Sequence, residues 1–208
     1  LKLINLHKDG EPLAHPRIYD MVRYIADKGA AEEFGFTSNG ILLDERREAR
    51  LLEAGINKIS FSIDATSEDS YERSKGRRKY GVVVENVRRF LKNKPANVNV
   101  AVKFICMQEN AGEENEFVSM WEDSGAELIF NEYHDWSGSV RDGSLQGILP
   151  ISENACENPF YSLAVNWDGT VSICCVDWDS QGLVGNVREQ SLEDIWKGEQ
   201  LRRIRALH

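Results

Sequence analysis

LKLINLH (1–7) running into DGEP (9–12), then EEFGFTSNG (32–40), then NKISFSID (57–64): these three runs, all within the first 64 residues, decide the fold. Each is a short stretch rich in apolar and β-branched residues, and each ends in small or polar ones. Strands of a parallel sheet are covered on both faces and read as near-continuous apolar runs, as LINL and ISFSI do here. Longer amphipathic stretches separate them. One covers 16–28 and stops at Gly29, and the next, DERREARLLEA (44–54), stops at Gly55. A glycine just past the last turn ends a helix without strain because it accepts positive φ. Strand followed by helix at this spacing predicts βα units.

The pattern continues outward from that stretch. A helix is predicted near 80–93, where Val83, Val87, Phe90 and Leu91 share one face, and VNVAVKFICM (98–107) reads as a strand. GEENEFVSMWEDS (112–124) reads as an acidic helix, and 126–133 as a further strand. The fold class is therefore α/β, with parallel β/α architecture over 1–136. Right-handed crossovers put the loops that follow the strands at one carboxyl edge, which is where chemistry is sought in such folds. That edge carries Asp9-Gly10-Glu11-Pro12, Thr37-Ser38-Asn39-Gly40, Ser62-Ile63-Asp64, Met107-Gln108-Glu109-Asn110 and Asn131-Glu132-Tyr133-His134-Asp135. A polar ligand is expected there.

From Ser137 the periodicity fails, and SGSVRDGSLQGILPISENA (137–155) reads as a connector. A second module is expected over 156–208. YSLAVN (161–166) and VSICCV (171–176) flank Trp167-Asp168-Gly169-Thr170 and predict a β-hairpin, since Asp-Gly supplies the positive φ of a tight turn. The hairpin would bring Cys156 towards Cys174. Ser191 with Asp194 has the form of a helix N-cap, and one helix is expected through IWKGEQLRRIRAL to the end.

Composition limits the function. The 208 residues are 41% hydrophobic and 28% charged, as in an ordinary globular chain, which excludes collagenous and wholly disordered classes. Lys and Arg number 25 against 34 Asp and Glu, a net charge of −9 without a long basic run. That argues against electrostatic capture of nucleic acid or a membrane surface, and leaves small molecules or protein segments as partners. No apolar stretch approaches the roughly 20 residues of a membrane span, and residues 1–12 do not have the form of a secretory leader, so a cytoplasmic chain is expected. Four cysteines are too few for a disulfide scaffold of this length, which fits a reducing compartment.

In this order and spacing, GEPL (10–13), TSNG (37–40) and LLEAGINKISFSIDA (51–65) resemble the radical S-adenosylmethionine enzymes. The C-terminal module resembles their SPASM or twitch auxiliary iron–sulfur domain. The resemblance implies a partial parallel (β/α) barrel followed by a small hairpin-plus-helix module, with S-adenosylmethionine (AdoMet) and [4Fe-4S] clusters as cofactors of the full-length enzyme. By the same resemblance Asp9, Gly10, Glu11 and Pro12 stand where the family has its GGEP-type motif, with Asp9 in place of the first glycine, and meet the amino group of AdoMet. Ser38, Asn39, Ser62 and Asp64 would face its methionine carboxylate or ribose hydroxyls. Cys156 and Cys174 would be two ligands of an auxiliary cluster, whereas Cys175, expected beside Cys174 on a strand, would point the other way. Cys106 is expected in the core. The family's C-x-x-x-C-x-x-C loop has no counterpart, because all four cysteines lie at 106 or beyond. The chain is accordingly read as part of a longer enzyme, with no radical generation expected from these residues alone. The resemblance further allows a peptide or a small carbohydrate-like substrate and an electron donor such as a flavodoxin or ferredoxin.

The same residues have plainer readings. Gly10-Glu11-Pro12 can be a turn before a helix, and Asn39-Gly40 another turn. Ser62, Asp64, Thr66 and Ser67 can cap the next helix, and Cys156 and Cys174 can be buried thiols or a disulfide. Two functions stand side by side: a radical enzyme, or a non-catalytic β/α module that binds a nucleotide-like ligand or a protein.

Overall fold

The computed structural model describes residues 1–133, 156–177 and 179–207. The connector expected at 137–155, and His134 and Asp135 of the expected carboxyl edge, lie outside the described residues. The chain divides into two compact units, Leu1–Tyr133 and His134–His208.

In the first unit, strands β1 (Leu3–Asn5), β2 (Glu33–Ser38), β3 (Lys58–Ser62), β4 (Asn99–Cys106) and β5 (Glu127–Glu132) form one parallel sheet in sequential order. Helices α1 (Ile18–Lys28), α2 (Glu45–Glu53), α3 (Glu68–Lys75), α4 (Tyr80–Asn93) and α5 (Glu114–Trp121) lie between them in the chain. This is the α/β architecture expected from the sequence. Gly29 ends α1 at φ 55°, and the carboxylate of Asp44 caps α2 by accepting from Arg47 N.

The core explains which strand positions face the helices. Phe34 and Phe36 of β2, Ile59 and Phe61 of β3, and Val100, Val102 and Phe104 of β4 are buried in one cluster with Val83, Val87 and Phe90 of α4 and Phe117 and Trp121 of α5. Phe61 meets Phe90 edge-on with ring centroids 5.8 Å apart, and Phe104 lies 4.8 Å from Phe117. Side chains alternate along a strand, so Thr37, Ser60, Ser62 and Lys103 take the opposite face. The run ISFSI is thus an alternation of apolar and hydroxyl residues, with a polar second face where the sequence reading had both faces apolar. A buried ion pair ties α2 to α4: Arg89 Nε donates to Glu48 Oε2 at 3.0 Å, and Asn93 donates to Glu48 Oε1 at 2.7 Å.

Helix α3 was not anticipated. Its sequence, EDSYERSK, has one large apolar residue, Tyr71, so no stripe announces it; what starts it is a capping box between Ser67 and Ser70.

In the second unit, β6 (Ala164–Val165), β7 (Thr170–Ser172) and β8 (Leu183–Asn186) form an antiparallel sheet in the order β6-β7-β8. Helices α6 (Asn158–Tyr161), α7 (Leu192–Lys197) and α8 (Glu199–Leu207) complete it. The turn forms as expected, with Gly169 at φ 90° and Asp168 Oδ1 accepting from Thr170 N at 3.0 Å and Thr170 Oγ1 at 2.7 Å. Three details differ from the sequence reading. Tyr161 ends a short helix instead of starting a strand, the expected hairpin gains β8 as a third strand, and the final helix breaks at Gly198, whose ψ of 158° is extended. Gly185 in β8 is required by packing: a Cβ there would come within 2.7 Å of Ile195 Cγ1, in the small core of Val171, Val184, Ile195 and Leu201.

Truncating Phe61 to Ala removes a fully buried ring at the centre of the first core and is expected to cost about 3–5 kcal/mol, measured by urea unfolding followed by circular dichroism.

Candidate functional site

The carboxyl edge of the parallel sheet holds two carboxylates, each tying neighbouring strand ends together. Glu11 follows β1 and caps a short 3-10 turn, Pro12–Ala14. Its Oε1 accepts from Leu13 N at 3.0 Å and from Ser38 Oγ at 2.8 Å, and its Oε2 accepts from Asn39 N at 2.8 Å. The loop after β1 is thereby fastened to the end of β2. Ser38 Oγ in turn accepts from Gly40 N at 3.0 Å, and Asn39 Oδ1 accepts from Ile41 N at 3.0 Å, which fixes both side chains. Gly10 stands beside Glu11 at φ 81° with nothing within 4 Å of where a Cβ would be, so the backbone is open to close approach. Asp9 is exposed, and Pro12 is buried beneath the loop.

Asp64 follows β3 and is fully buried at φ 59°, a left-handed conformation that Asp tolerates better than most residues. Its Oδ1 accepts from Ile105 N of β4 at 2.7 Å. Its Oδ2 accepts from Ser62 Oγ at 2.7 Å and from Lys75 Nζ of α3 in an ion pair. Asn110 locks the same corner, donating to the carbonyls of Asp64 at 2.9 Å and Ile105 at 2.8 Å. Both oxygens of Asp64 are therefore engaged by the chain itself, and this residue orients Ser62 and Lys75. Lys75 was missed by sequence reasoning, because nothing marks it until α3 is known.

Two further groups border this edge. His7 has its pKa held below the ordinary 6.5 by burial, against the raising influence of the Gly10 backbone, Glu11 and Asp9, with Lys103 adding to the lowering. Burial likewise lowers the pKa of Lys103, and Lys58 reinforces this, while Asp64 and Glu127 oppose it.

No disulfide joins any of the four cysteines among the described residues. Cys156 and Cys175 are exposed, Cys106 and Cys174 half-buried. The disulfide and buried-pair alternatives for Cys156 and Cys174 are thus not what the structure holds. β7 ends at Ser172, so Cys174 and Cys175 lie beyond the strand, and strand alternation does not set their directions. Burial raises the pKa of Cys106. Among the described residues no group of three or more His, Cys, Asp or Glu side chains is placed to hold a metal ion. Two of the expected thiolate ligands lie in the described residues; a complete ligand set does not.

A parallel sheet joined through helices, with a hydrogen-bonded glutamate at its carboxyl edge, places the first unit in the α/β class. Comparison with known proteins narrows it: residues 8–109 match the Radical SAM superfamily, and residues 156–208 match SPASM, an iron–sulfur cluster-binding domain. The chain thus carries a radical SAM domain followed by a SPASM domain. It is 27% identical over 248 residues to a tungsten-containing aldehyde ferredoxin oxidoreductase cofactor-modifying protein of Pyrococcus furiosus, covering 96% of this chain and 68% of that protein. It is 41% identical over 69 residues to a GTP 3',8-cyclase of Microcystis aeruginosa, covering 33% of this chain and 21% of the cyclase. Solved structures share the fold at low identity. SuiB of Streptococcus suis bound to the precursor peptide SuiA superimposes with a TM-score of 0.70 at 12% identity, over 96% of this chain and 54% of SuiB. The enzyme anSMEcpe with bound AdoMet gives 0.69 at 16% identity, over 97% of this chain and 65% of that one. The chain thus spans about a fifth of the cyclase and less than two thirds of these two structures.

Asp64→Asn keeps the side-chain shape and the left-handed backbone but removes the charge that Lys75 and Ile105 N meet. It is expected to cost about 1.5–3 kcal/mol in chemical unfolding. For His7, folding favours the neutral imidazole, so stability is complete above the ordinary pKa of 6.5 and falls as pH drops below it towards the folded-state value. An NMR titration should place His7 below 6.5, and His7→Gln should flatten the loss of stability on acidification.

Proposed function

We propose that this chain forms the cofactor-binding face of a radical AdoMet enzyme that also carries an auxiliary iron–sulfur domain, acting on a peptide or a small molecule. The observation that supports it best is Glu11: a carboxylate immobilised by three donors, beside an unobstructed glycine, at the carboxyl edge of the parallel sheet. Oε2 accepts one hydrogen bond from the chain and keeps acceptor capacity, which suits the ammonium group of a zwitterionic ligand. AdoMet held here would supply hydrogen-atom abstraction chemistry in the longer enzyme, once a reduced cluster held by residues outside this sequence gave it an electron. The chain's own part is positional. Glu11 holds the amine, Gly10 lets the backbone approach, and Ser38 and Asn39 keep the Glu11 carboxylate from turning away. Ser62, oriented by Asp64, offers a hydroxyl to the ribose or the methionine carboxylate. Asp9 and Pro12 shape the loop, Asp9 from its exposed side and Pro12 from beneath.

In the second unit Cys156 and Cys174 are the proposed thiolate ligands of a [4Fe-4S] cluster. Such a cluster takes four ligands, and the described residues do not complete the set, so no step is assigned to it. The proposed organisation is a barrel portion over 1–136, a connector over 137–155 and the iron–sulfur module over 156–208. The fold shared with SuiB supports a peptide substrate; the similarity to a cofactor-modifying protein supports a small molecule. A low-potential carrier such as a flavodoxin or ferredoxin fits as electron donor. The net charge of −9 disfavours nucleic acid, and no helix among the described residues is long and apolar enough to cross a membrane. The proposed location is cytoplasmic, where cysteines that form no disulfide are at home.

Calorimetry with AdoMet tests the proposal. The chain should bind it, and Glu11→Ala should weaken binding about 10- to 100-fold, the equivalent of one charge-assisted hydrogen bond. Unchanged affinity would remove Glu11 from the site. No binding by the unmodified chain would favour the non-catalytic module.

A further inference from the structure

The face of the sheet turned away from the helices holds a cation that the cofactor reading leaves unused. Lys103 belongs to β4, yet its Nζ donates to Thr37 Oγ1 of β2 at 3.2 Å. Between them lies β3, where Ser62 stands in register with Lys103 and Ser60 with Thr37. The lysine side chain thus crosses a whole strand on its hydroxyl-bearing face.

The other lysines of this region are neutralised. Lys58 pairs with Glu33 at 2.6 Å, and Lys75 pairs with Asp64. Lys103 forms no ion pair among the described residues, and a neutral hydroxyl is the hydrogen-bond partner it has. Asp64 and Glu127 favour its charged form from a distance, but neither is in ion-pair contact with it, and a half-buried ammonium without a contacting counter-ion has a place for a bound anion. His7 is near enough to Lys103 to feel its charge, and its lowered pKa keeps it neutral near pH 7, so it adds no second positive charge beside Lys103, whose charged neighbours Asp64 and Lys58 are already paired with Lys75 and Glu33. One positive charge matches a carboxylate monoanion better than a phosphate dianion, which proteins usually meet with several cations or a helix N-terminus.

We propose that Lys103, held across β3 by Thr37, is the subsite for a carboxylate group of the substrate, distinct from the Glu11 site for the cofactor amine. The proposal rests on the reading of this sheet edge as a radical AdoMet site and adds to it the chemical class of the substrate: a molecule that presents a carboxylate to the open face.

The test uses the chain labelled with 13C at lysine Cε and follows the lysine signals by NMR, with Lys103→Met assigning the signal of Lys103. Sodium acetate is titrated against sodium chloride at equal ionic strength. The expected result is a saturable shift of the Lys103 signal with acetate that chloride does not produce, while other lysines move alike in both salts. A linear shift shared by all lysines overturns the proposal. Inorganic phosphate binding about tenfold more tightly than acetate overturns the carboxylate assignment. AdoMet separates this site from the cofactor's: Lys103→Met should leave AdoMet affinity unchanged by calorimetry, and a loss of about tenfold would make Lys103 part of the cofactor site and overturn the proposal. If the unmodified chain binds acetate at Lys103 but not AdoMet, the cofactor reading fails and the anion subsite stands. Thr37→Val serves where Lys103→Met does not fold: it keeps the cation, removes its anchor and should weaken the acetate-dependent shift. An undiminished shift in that variant would overturn the role given to Thr37.

Discussion

Asp64 occupies the corner where β3 stops and β4 passes it, and its carboxylate does the work that a continuing strand would otherwise do. At φ 59° the backbone turns out of the sheet, leaving the N–H of Ile105 without a strand partner; Oδ1 accepts from it at 2.7 Å. Oδ2 draws in Ser62 and Lys75, so the start of the β3–α3 loop, the end of β3 and the last turn of α3 all meet one buried charge. A second carboxylate continues the lock. Glu113 Oε2 accepts from Thr66 N at 3.0 Å and Thr66 Oγ1 at 2.9 Å, joining the same loop to the start of α5. Without Asp64, Lys75 and the Ile105 amide would lose their acceptor in a place that water reaches poorly, and leaving buried donors unsatisfied costs more than the net worth of the bonds themselves.

Glu11 uses the same device two strands away with a different remainder. Asp64 gives both oxygens to the chain and is fully buried, which makes it a structural anchor. Glu11 is only half-buried and keeps acceptor capacity on Oε2, which leaves it able to meet a ligand. Spacing in the sequence treats the two carboxylates alike, since each follows a strand in a small-polar context. Burial and hydrogen-bond occupancy separate the anchor from the proposed contact.

Much of the first unit was legible because its signals are local. A glycine at 29 or 55 ends a helix through its own φ, and the apolar runs name their strands. α3 was invisible because its start depends on a serine cap and its polar sequence has no stripe. Cys174 and Cys175 were assigned to a strand on β-propensity alone, whereas the ladder ends at Ser172, beyond which the chain turns and Asp177 N donates to Cys174 O at 3.4 Å. Lys75 and Lys103 could not be singled out for a further reason. Each acquires meaning from a residue brought to it by topology, Asp64 in one case and Thr37 in the other, and no periodicity in the chain links 103 to 37.

The division of each strand into two sets of positions explains why membership of a superfamily is easier to reach than a substrate. Phe36, Phe61, Val102 and Phe104 must fill a close-packed interior against α4 and α5, and a core admits few alternatives in volume and shape. Their pattern therefore carries the fold. Thr37, Ser60, Ser62 and Lys103 alternate with them on the opposite face, outside the core cluster that the helices fill among the described residues, so that core does not dictate their identity. In the proposed reading, what selects residues there is a ligand, through hydrogen bonds and charge. Lys103 stands on that face with a hydroxyl partner and no ion pair among the described residues, and the anion proposed for it would supply the contacting counter-charge.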